Sequence, residues 1–181
     1  MPPRANTKDW ISQGASFSGH ERNHLFMQVE GGFVEASGVS GANALGDGRA
    51  FGWLDFNGDN QRDFVLINAN APRVQLFENQ VANAGGSVQI TLVGGATENE
   101  SEGWSNRDAV GTRVTAQIGE NTTAFEVHGG EGFASQNSAS IIIGLGSAPN
   151  IDNLTVKWPS GRLQTIANIQ RGTDLVIMER H

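Results

Sequence analysis

At 181 residues, the chain has the length of one ordinary domain or two small lobes. Nineteen acidic residues against twelve basic ones give a net charge of −7, and no basic cluster offsets it, so we expect no nucleic-acid partner. The absence of cysteine excludes disulfides and cysteine-based zinc sites, and no stretch approaches about 18 consecutive apolar residues, so we expect no membrane insertion.

Short strands are predicted along the first part of the chain. No apolar pattern at helical spacing extends over about twelve residues, and 24 glycines favour tight turns, so the expected fold class is all-β. Gly, Asn, Asp and Pro separate the predicted strands. These strands are 25–29, 32–36, 50–55, 64–68 and 74–78.

A second set of strands is predicted after the low-complexity segment 81–87, which sets an expected boundary between regions 1–82 and 83–181. Apolar residues at every second position predict strands with one buried face. These residues are Val88, Ile90 and Leu92; Val114, Ala116 and Ile118; Phe125 and Val127; and Leu154, Val156 and Trp158. The apolar runs 141–143 and 175–178 predict strands buried on both faces. Together they indicate a β-sandwich or jelly-roll-like lobe, with the smaller hairpin lobe packed against it.

The segment DFNGDNQRD, between two predicted strands, has side-chain oxygens at its first, third, fifth and ninth positions. These are Asp55, Asn57, Asp59 and Asp63. Carboxylates that converge in a tight turn repel one another unless a hard cation neutralises them. Ca²⁺ takes about six to eight oxygens, so the Gln61 carbonyl and water would complete the shell.

The sixth position of such a loop usually needs a positive φ, which favours Gly. This chain has Asn60 there, the residue that tolerates a positive φ next best. The alternative is an Asx-rich turn whose side chains cap their own backbone. If the ion binds, we expect it to fix two strands rather than to perform chemistry.

The loop resembles FG-GAP or VCBS repeats, the calcium-binding blades of integrin-type propellers. The later part of the chain resembles the ASPIC/UnbV domain of cartilage acidic protein and its bacterial relatives. Four motifs carry this resemblance and follow one another in the same order as in that domain, namely SNRDAVGTRV, GGEGFASQ, IIIGLG and VKWPSG. The resemblance implies extracellular calcium binding and matrix or surface association, and it carries no catalytic residues. One blade does not close a propeller, since at least about four are needed, so upstream blades or a homo-oligomer are expected partners.

The segment His20 to His24 reads HERNH and matches the HExxH pattern of zinc proteases. That pattern works on a helix, where two histidines lie one turn apart, but the flanking residues indicate a loop and a strand. A zinc hydrolase is therefore the least favoured interpretation.

Several other polar residues are candidates for ligand binding or for structural contacts. The segment from Ser105 to Asp108 has short side chains with oxygen atoms and one guanidinium group. These groups would bind a carboxylate or a sugar, or they would form a turn. The candidate residues are Glu21, Arg22, Asn106, Arg107, Asp108 and Gln136.

Two glycine-containing segments are predicted to be turns. The segment 129–136 is interpreted as a tight hairpin in which Gln136 satisfies backbone groups. Trp158, Pro159 and the following Ser-Gly match the preferences of a type I turn, with Trp158 in the core.

The sequence thus predicts a non-catalytic, extracellular or periplasmic Ca²⁺-binding β module for adhesion or for binding a protein or glycan ligand. The alternative is an enzyme that acts on a small molecule or glycan, with Glu21, Asp108 or Glu131 in a cleft between the lobes.

Overall fold

The structure is a computed structural model that describes residues 8–9, 13, 15–16, 20–82, 85–97 and 100–180. Twelve strands and a four-residue helix are assigned within these ranges, and Lys8 and Asp9 are also helical, so the all-β prediction is confirmed. Within the same ranges, no helix has the length and apolar character needed to cross a membrane.

The strands follow one another with short connections. The first group comprises β1 (Phe26–Val29), β2 (Gly32–Glu35), β3 (Gly48–Leu54), β4 (Asp63–Asn68) and β5 (Val74–Phe77), with the helix α1 (Ser37–Ser40) after β2. The second comprises β6 (Gly86–Val93), β7 (Arg113–Ile118), β8 (Asn121–Glu126), β9 (Ile141–Gly146), β10 (Asn150–Lys157), β11 (Leu163–Gln170) and β12 (Asp174–Met178). The five strands predicted in the first group are all present, with ends within two residues of the expected ones.

The chain divides into two compact units. The first contains the described residues of Met1–Gly52, together with Phe64–Glu78 and Gly132–Ser135. In it, β1 and β2 form an antiparallel hairpin, and β4 pairs with β5 in the antiparallel direction, within a sheet of order β3-β4-β5. The Phe64 and Phe77 rings, opposite each other in that register, stack with their centroids 4.5 Å apart.

The second unit contains two sheets that share one core. It comprises the described residues of Trp53–Asp63, Asn79–Glu131 and Gln136–His181. One sheet is antiparallel with the order β11-β10-β7-β8, and the other has the order β12-β6-β9, in which β12 runs parallel to β6. Buried side chains of both sheets belong to the same hydrophobic cluster, as in a β-sandwich.

The predicted alternation places the core residues correctly. Val88, Ile90 and Leu92 of β6 are buried, and so are Leu154 and Val156 of β10. Each such side chain contributes roughly 1.5–3 kcal/mol relative to an exposed position. Trp158 is 1% exposed, and the Gly161 N–H donates to its carbonyl, so both the core position and the turn predicted there are confirmed.

Two predictions about the second unit are wrong. The run 175–178 is not buried on both faces, because Val176 is 58% and Met178 60% exposed, whereas Ile177 is buried. In a sandwich of two sheets each strand turns one face to the shared core, and the other face of β12, which carries Val176 and Met178, is exposed. The segment 129–136 is not a hairpin, because β8 pairs with β7 while β9 pairs with β6, so it connects two different sheets. The Gln136 side chain makes no hydrogen bond within the described part of the chain.

A buried carboxylate fastens the C-terminal strand to two loops. Glu179 is 6% exposed and accepts hydrogen bonds from the backbone N–H groups of Gly95 (2.9 Å) and Ser105 (2.8 Å). The Ser105 and Ser160 hydroxyls also donate to it, and Arg162 lies 3.3 Å away. Burial alone would raise the pKa of Glu179, but these hydrogen bonds outweigh it and lower the pKa from 4.5 to about 2.

We expect Glu179→Gln to lower the free energy of unfolding by about 2 kcal/mol at pH 7. The glutamine amide is neutral and has an NH₂ donor in place of one carboxylate oxygen, so some of the surrounding donors lose their acceptor. Because the pKa of Glu179 is lowered on folding, its stabilisation is complete above pH 4.5 and is lost as the pH falls towards about 2. Urea denaturation of the wild type and the variant between pH 2 and pH 7 measures both effects.

The matched control is Glu120→Gln, which changes the same group at an exposed turn and should leave the unfolding curve unchanged. Equal stability of Glu179→Gln and the wild type at pH 7 would contradict the role assigned to this carboxylate.

Candidate functional site

The loop between β3 and β4 is built from turns in which side-chain oxygens accept backbone hydrogen bonds. Asp55 Oδ1 accepts from the N–H groups of Gly58 (2.8 Å) and Asp59 (3.2 Å), and its Oδ2 accepts from Asn60 (2.8 Å). Short acidic and amide side chains favour this local pattern. The first residue of the loop therefore faces the backbone of the fourth to sixth.

The middle of the loop continues the same pattern. Asn57 Oδ1 accepts from the Asp59 N–H (3.1 Å), and Asp59 Oδ1 accepts from the Gln61 N–H (2.7 Å). The Asn57 amide also donates to Asp59 Oδ2 at 3.1 Å. Asn60 has a φ of 61°, so the prediction of a positive φ at the sixth position is confirmed.

Asp63 closes the loop from a fully buried position at 0% exposure. Its Oδ2 accepts from the Phe56 N–H at 3.1 Å, and its Oδ1 accepts from the Asn79 N–H at 2.7 Å. A buried carboxylate without such partners would be strongly unfavourable. Asp63 thus joins the beginning of the loop to the segment that follows β5.

Hydrogen bonds also attach the loop to the β6 and β9 region of the second unit. The Ser87 hydroxyl donates to the Asn60 carbonyl at 2.8 Å, and Arg62 donates to the Ile142 carbonyl at 3.2 Å. At the beginning of the loop, Trp53 donates its N–H to the Asn137 side chain (2.9 Å) and accepts from the Ser138 N–H (2.8 Å). Both ends of the loop are therefore held by the same unit.

The donor set of the loop consists of oxygens alone, which suits a hard cation. One of them, the Gln61 side-chain oxygen, is buried and has no hydrogen-bond partner. A carboxylate offers about four lone-pair sites, so Asp55, Asp59 and Asp63 keep acceptor capacity beyond their backbone hydrogen bonds. In the described part of the chain, no three His, Asp or Glu side chains form a ready-made metal cluster. Metal binding would therefore involve the amide oxygens of Asn57 and Gln61 as well as the carboxylates.

A cavity of about 750 Å³ lies beside this loop, and all of its lining residues belong to the second unit. Its volume falls within the usual range for ligand sites, roughly 300–1,000 Å³. Charged side chains of both signs line it, and they are Asp55, Arg62, Arg107, Asp108, Glu126 and Glu131. The cavity thus includes three residues of the predicted polar cluster, Arg107, Asp108 and Gln136.

The side-chain amide of Asn106 holds the loop that carries Arg107 and Asp108 in shape through two hydrogen bonds. Asn106 donates to the Val110 carbonyl and accepts from the Val110 N–H, both at 2.9 Å. The Thr112 N–H donates to the Ala109 carbonyl, and Ala109 is fully buried with a φ of 55°. A positive φ at a buried alanine is strained and persists only when its surroundings hold it. Asn106 therefore has a structural role that positions its two charged neighbours.

Gly94 lets this loop approach the end of β6. Its N–H donates to the Arg107 carbonyl at 3.0 Å. A Cβ at this position would lie 1.9 Å from the Asn106 carbonyl oxygen. Only glycine therefore fits between β6 and the loop.

The remaining predicted residues lie in the first unit. Arg22 donates to the Asn43 carbonyl at 3.0 Å, and Glu21 is exposed next to it. The HERNH segment forms neither helix nor strand, and His24 Nδ1 lies 3.6 Å from Glu35 Oε1. The two histidines are thus not one helical turn apart, as the zinc motif requires.

Most residues that line the cavity were not among the predicted site residues, and Trp53, Arg62 and Asn137 are examples. Arg62 lies inside the oxygen-rich loop, and this position is the only feature of the sequence that could have indicated its place in the cavity wall. Trp53 and Asn137 are 84 residues apart and meet through one hydrogen bond. Such a long-range contact leaves no local sequence pattern.

The last part of the chain matches a known family model. Residues 103–181 match the family model described as ASPIC and UnbV. This ASPIC/UnbV region contains β7 to β12 and the loop of Asn106, and the predicted resemblance is confirmed over these residues. The resemblance of the 55–63 loop to FG-GAP or VCBS repeats stays a prediction. A search of curated proteins returned no match.

We expect Gly94→Ala to lower the free energy of unfolding by about 3 kcal/mol, because the new methyl group overlaps the Asn106 backbone carbonyl, which accepts a hydrogen bond from the Ala109 N–H. The matched control is Gly144→Ala in β9, where an added Cβ meets no atom within 4 Å. Urea denaturation compares the two variants. A Gly94→Ala protein as stable as Gly144→Ala would show that the Asn106 loop is free to move away.

Proposed function

We propose that the protein is a non-catalytic, calcium-binding β module that binds a ligand in the cavity beside the 55–63 loop. The observation that carries this proposal is the loop itself, in which Asp55, Asn57 and Asp59 are folded onto one turn next to the unpartnered Gln61 oxygen. Ca²⁺ would be held by Asp55, Asn57, Asp59, Gln61 and Asp63.

The charge of the loop supports a cation. Three carboxylates lie within nine residues, and only Arg62 contributes a positive side chain among them. At an effective dielectric constant near 20, two unit charges about 4 Å apart interact with about 4 kcal/mol, so carboxylates drawn that close together would repel one another strongly. A divalent ion would turn that repulsion into attraction.

The position of the loop relates the ion to the ligand. Asp55 and Arg62 belong to the loop and also line the cavity. An ion that holds the loop rigid would keep these two side chains in place before the ligand arrives, and preorganisation of this kind reduces the cost of binding. We therefore expect calcium to strengthen ligand binding without touching the ligand.

The family resemblance extends the proposal to location and partners. If the loop is an FG-GAP or VCBS repeat, the protein acts outside the cell or in the periplasm, where calcium is abundant. Protein or glycan ligands then fit an adhesive role. Upstream propeller blades or a second copy of the chain would be its assembly partners.

An enzyme that acts on a glycan is the second candidate, because Asp108 and Glu131 line the same cavity. Glycoside hydrolysis commonly uses two carboxylates that flank the scissile bond. Chromatography of oligosaccharides incubated with the protein tests this candidate. Products that form with the wild type and disappear with both Asp108→Asn and Glu131→Gln would replace the binding role by catalysis.

We expect 10 mM CaCl₂, chosen to exceed the dissociation constant about a hundredfold, to stabilise the folded protein by about 2.7 kcal/mol relative to EGTA. For a chain of this size, that corresponds to a rise in the melting temperature of about 5–10 °C. Asp59→Asn keeps the hydrogen-bonded shape of the loop but removes one charge, so the rise should fall below about 2 °C. Differential scanning calorimetry measures it.

The control variant is Asp152→Asn, since the Asp152 side chain in β10 also accepts hydrogen bonds, from Gly119 and Asn150, but lies outside the loop. Its response to calcium should equal that of the wild type. A wild-type melting temperature that is the same in calcium and in EGTA would refute calcium binding.

A further inference from the structure

The cavity beside the loop contains polar groups whose hydrogen-bonding capacity is not used within the protein. The side chains of Arg107, Asp108, His128 and Gln136 line it and make no hydrogen bond or ion pair with another residue in the described part of the chain. They include guanidinium donors, a carboxylate acceptor and an amide that does both. A ligand that fits must offer acceptors and donors close together.

The mixture of charges restricts the ligand class further. A strongly anionic ligand would meet Asp108 and Glu131, and a strongly cationic one would meet Arg62 and Arg107. A purely apolar ligand would displace water from these groups without replacing its hydrogen bonds, at a cost of about 1–3 kcal/mol for each group. The cavity therefore disfavours ligands with a large net charge and ligands that are entirely apolar.

Apolar surfaces lie among the polar groups. Trp53 is half-buried in the cavity wall, and Phe125, Val110 and Val127 also line it. The backbone of Trp53 is fixed on both sides, by Asn137 and by Ser138. A ring with C–H faces and hydroxyl edges matches such a wall, because its faces pack on apolar side chains while each hydroxyl both donates and accepts.

From these observations we propose that the cavity binds a neutral saccharide, with Arg107, Asp108 and Gln136 hydrogen-bonded to its hydroxyl groups and Trp53 against a ring face. This inference rests on the proposed ligand-binding function and names the ligand class. The rigid loop of Asn106 and Ala109 holds Arg107 and Asp108 at one side of the cavity, so their positions are set before the sugar arrives.

The test uses the full chain on an array of immobilised glycans that includes neutral linear oligosaccharides, uronic-acid oligomers and sulfated oligomers. We expect binding to neutral glycans and not to acidic ones. Calorimetric titration with the neutral oligosaccharide that binds best then gives the affinity of each variant. Asp108→Asn and Gln136→Ala should each weaken binding about tenfold or more, because each removes hydrogen bonds to the ligand.

Two controls make the result specific. Asp152→Asn lies outside the cavity and should bind as the wild type does, and the melting temperatures of Asp108→Asn and Gln136→Ala should be unchanged because both residues are exposed. Free amino acids and dipeptides serve as zwitterionic competitors, and they should not displace the oligosaccharide. All titrations are made in calcium and in EGTA.

The inference is overturned if no neutral glycan binds, if only acidic glycans bind, if zwitterions displace the sugar, or if both cavity variants bind like the wild type. If the protein binds sugar but calcium does not change its melting temperature, the calcium proposal is refuted and the saccharide site is supported. If calcium raises the melting temperature but no sugar binds, calcium binding is supported and the saccharide site is refuted.

Discussion

The fully buried carboxylate of Asp63 is the interaction on which the site depends. Its two oxygens hold the N–H groups of Phe56 and Asn79, so the oxygen-rich loop is closed at its base. Without that closure, the turns made by Asp55 and Asp59 would be isolated local hydrogen bonds, each worth only about 1 kcal/mol. Closure brings them into one folded segment and keeps the loop beside the cavity.

The loop and the cavity share residues rather than merely lying near each other. Asp55 belongs to the first turn of the loop and to the cavity wall, and Arg62 is tied to the Ile142 carbonyl while it lines the same wall. Another part of the wall is formed by a second loop, which the hydrogen bonds of Asn106 hold in shape and which Gly94 allows to lie close to β6. Two rigid loops on one β-sandwich are the arrangement that a preorganised binding site requires.

Much of the fold could be predicted from local patterns, and the site only in part. Alternation identified the buried residues of β6 and β10, and punctuation by Gly, Asn and Pro located the first five strands. The exposure of Val176 and Met178 was missed because it depends on the outer face of β12 being left uncovered in the sandwich, which the apolar run does not reveal. The role of Glu179 was missed for the same kind of reason, since its partners Gly95, Ser105 and Ser160 are distant in sequence.

The most direct test of the central claim is a crystal structure grown with millimolar calcium, with anomalous data collected at a long wavelength. The account predicts a single anomalous peak within about 2.3–2.6 Å of oxygens from Asp55 and Asp59. It also predicts that Asp63 keeps its hydrogen bond to Asn79. A loop that retains its side-chain to backbone hydrogen bonds, with no peak among its oxygens, would contradict the account.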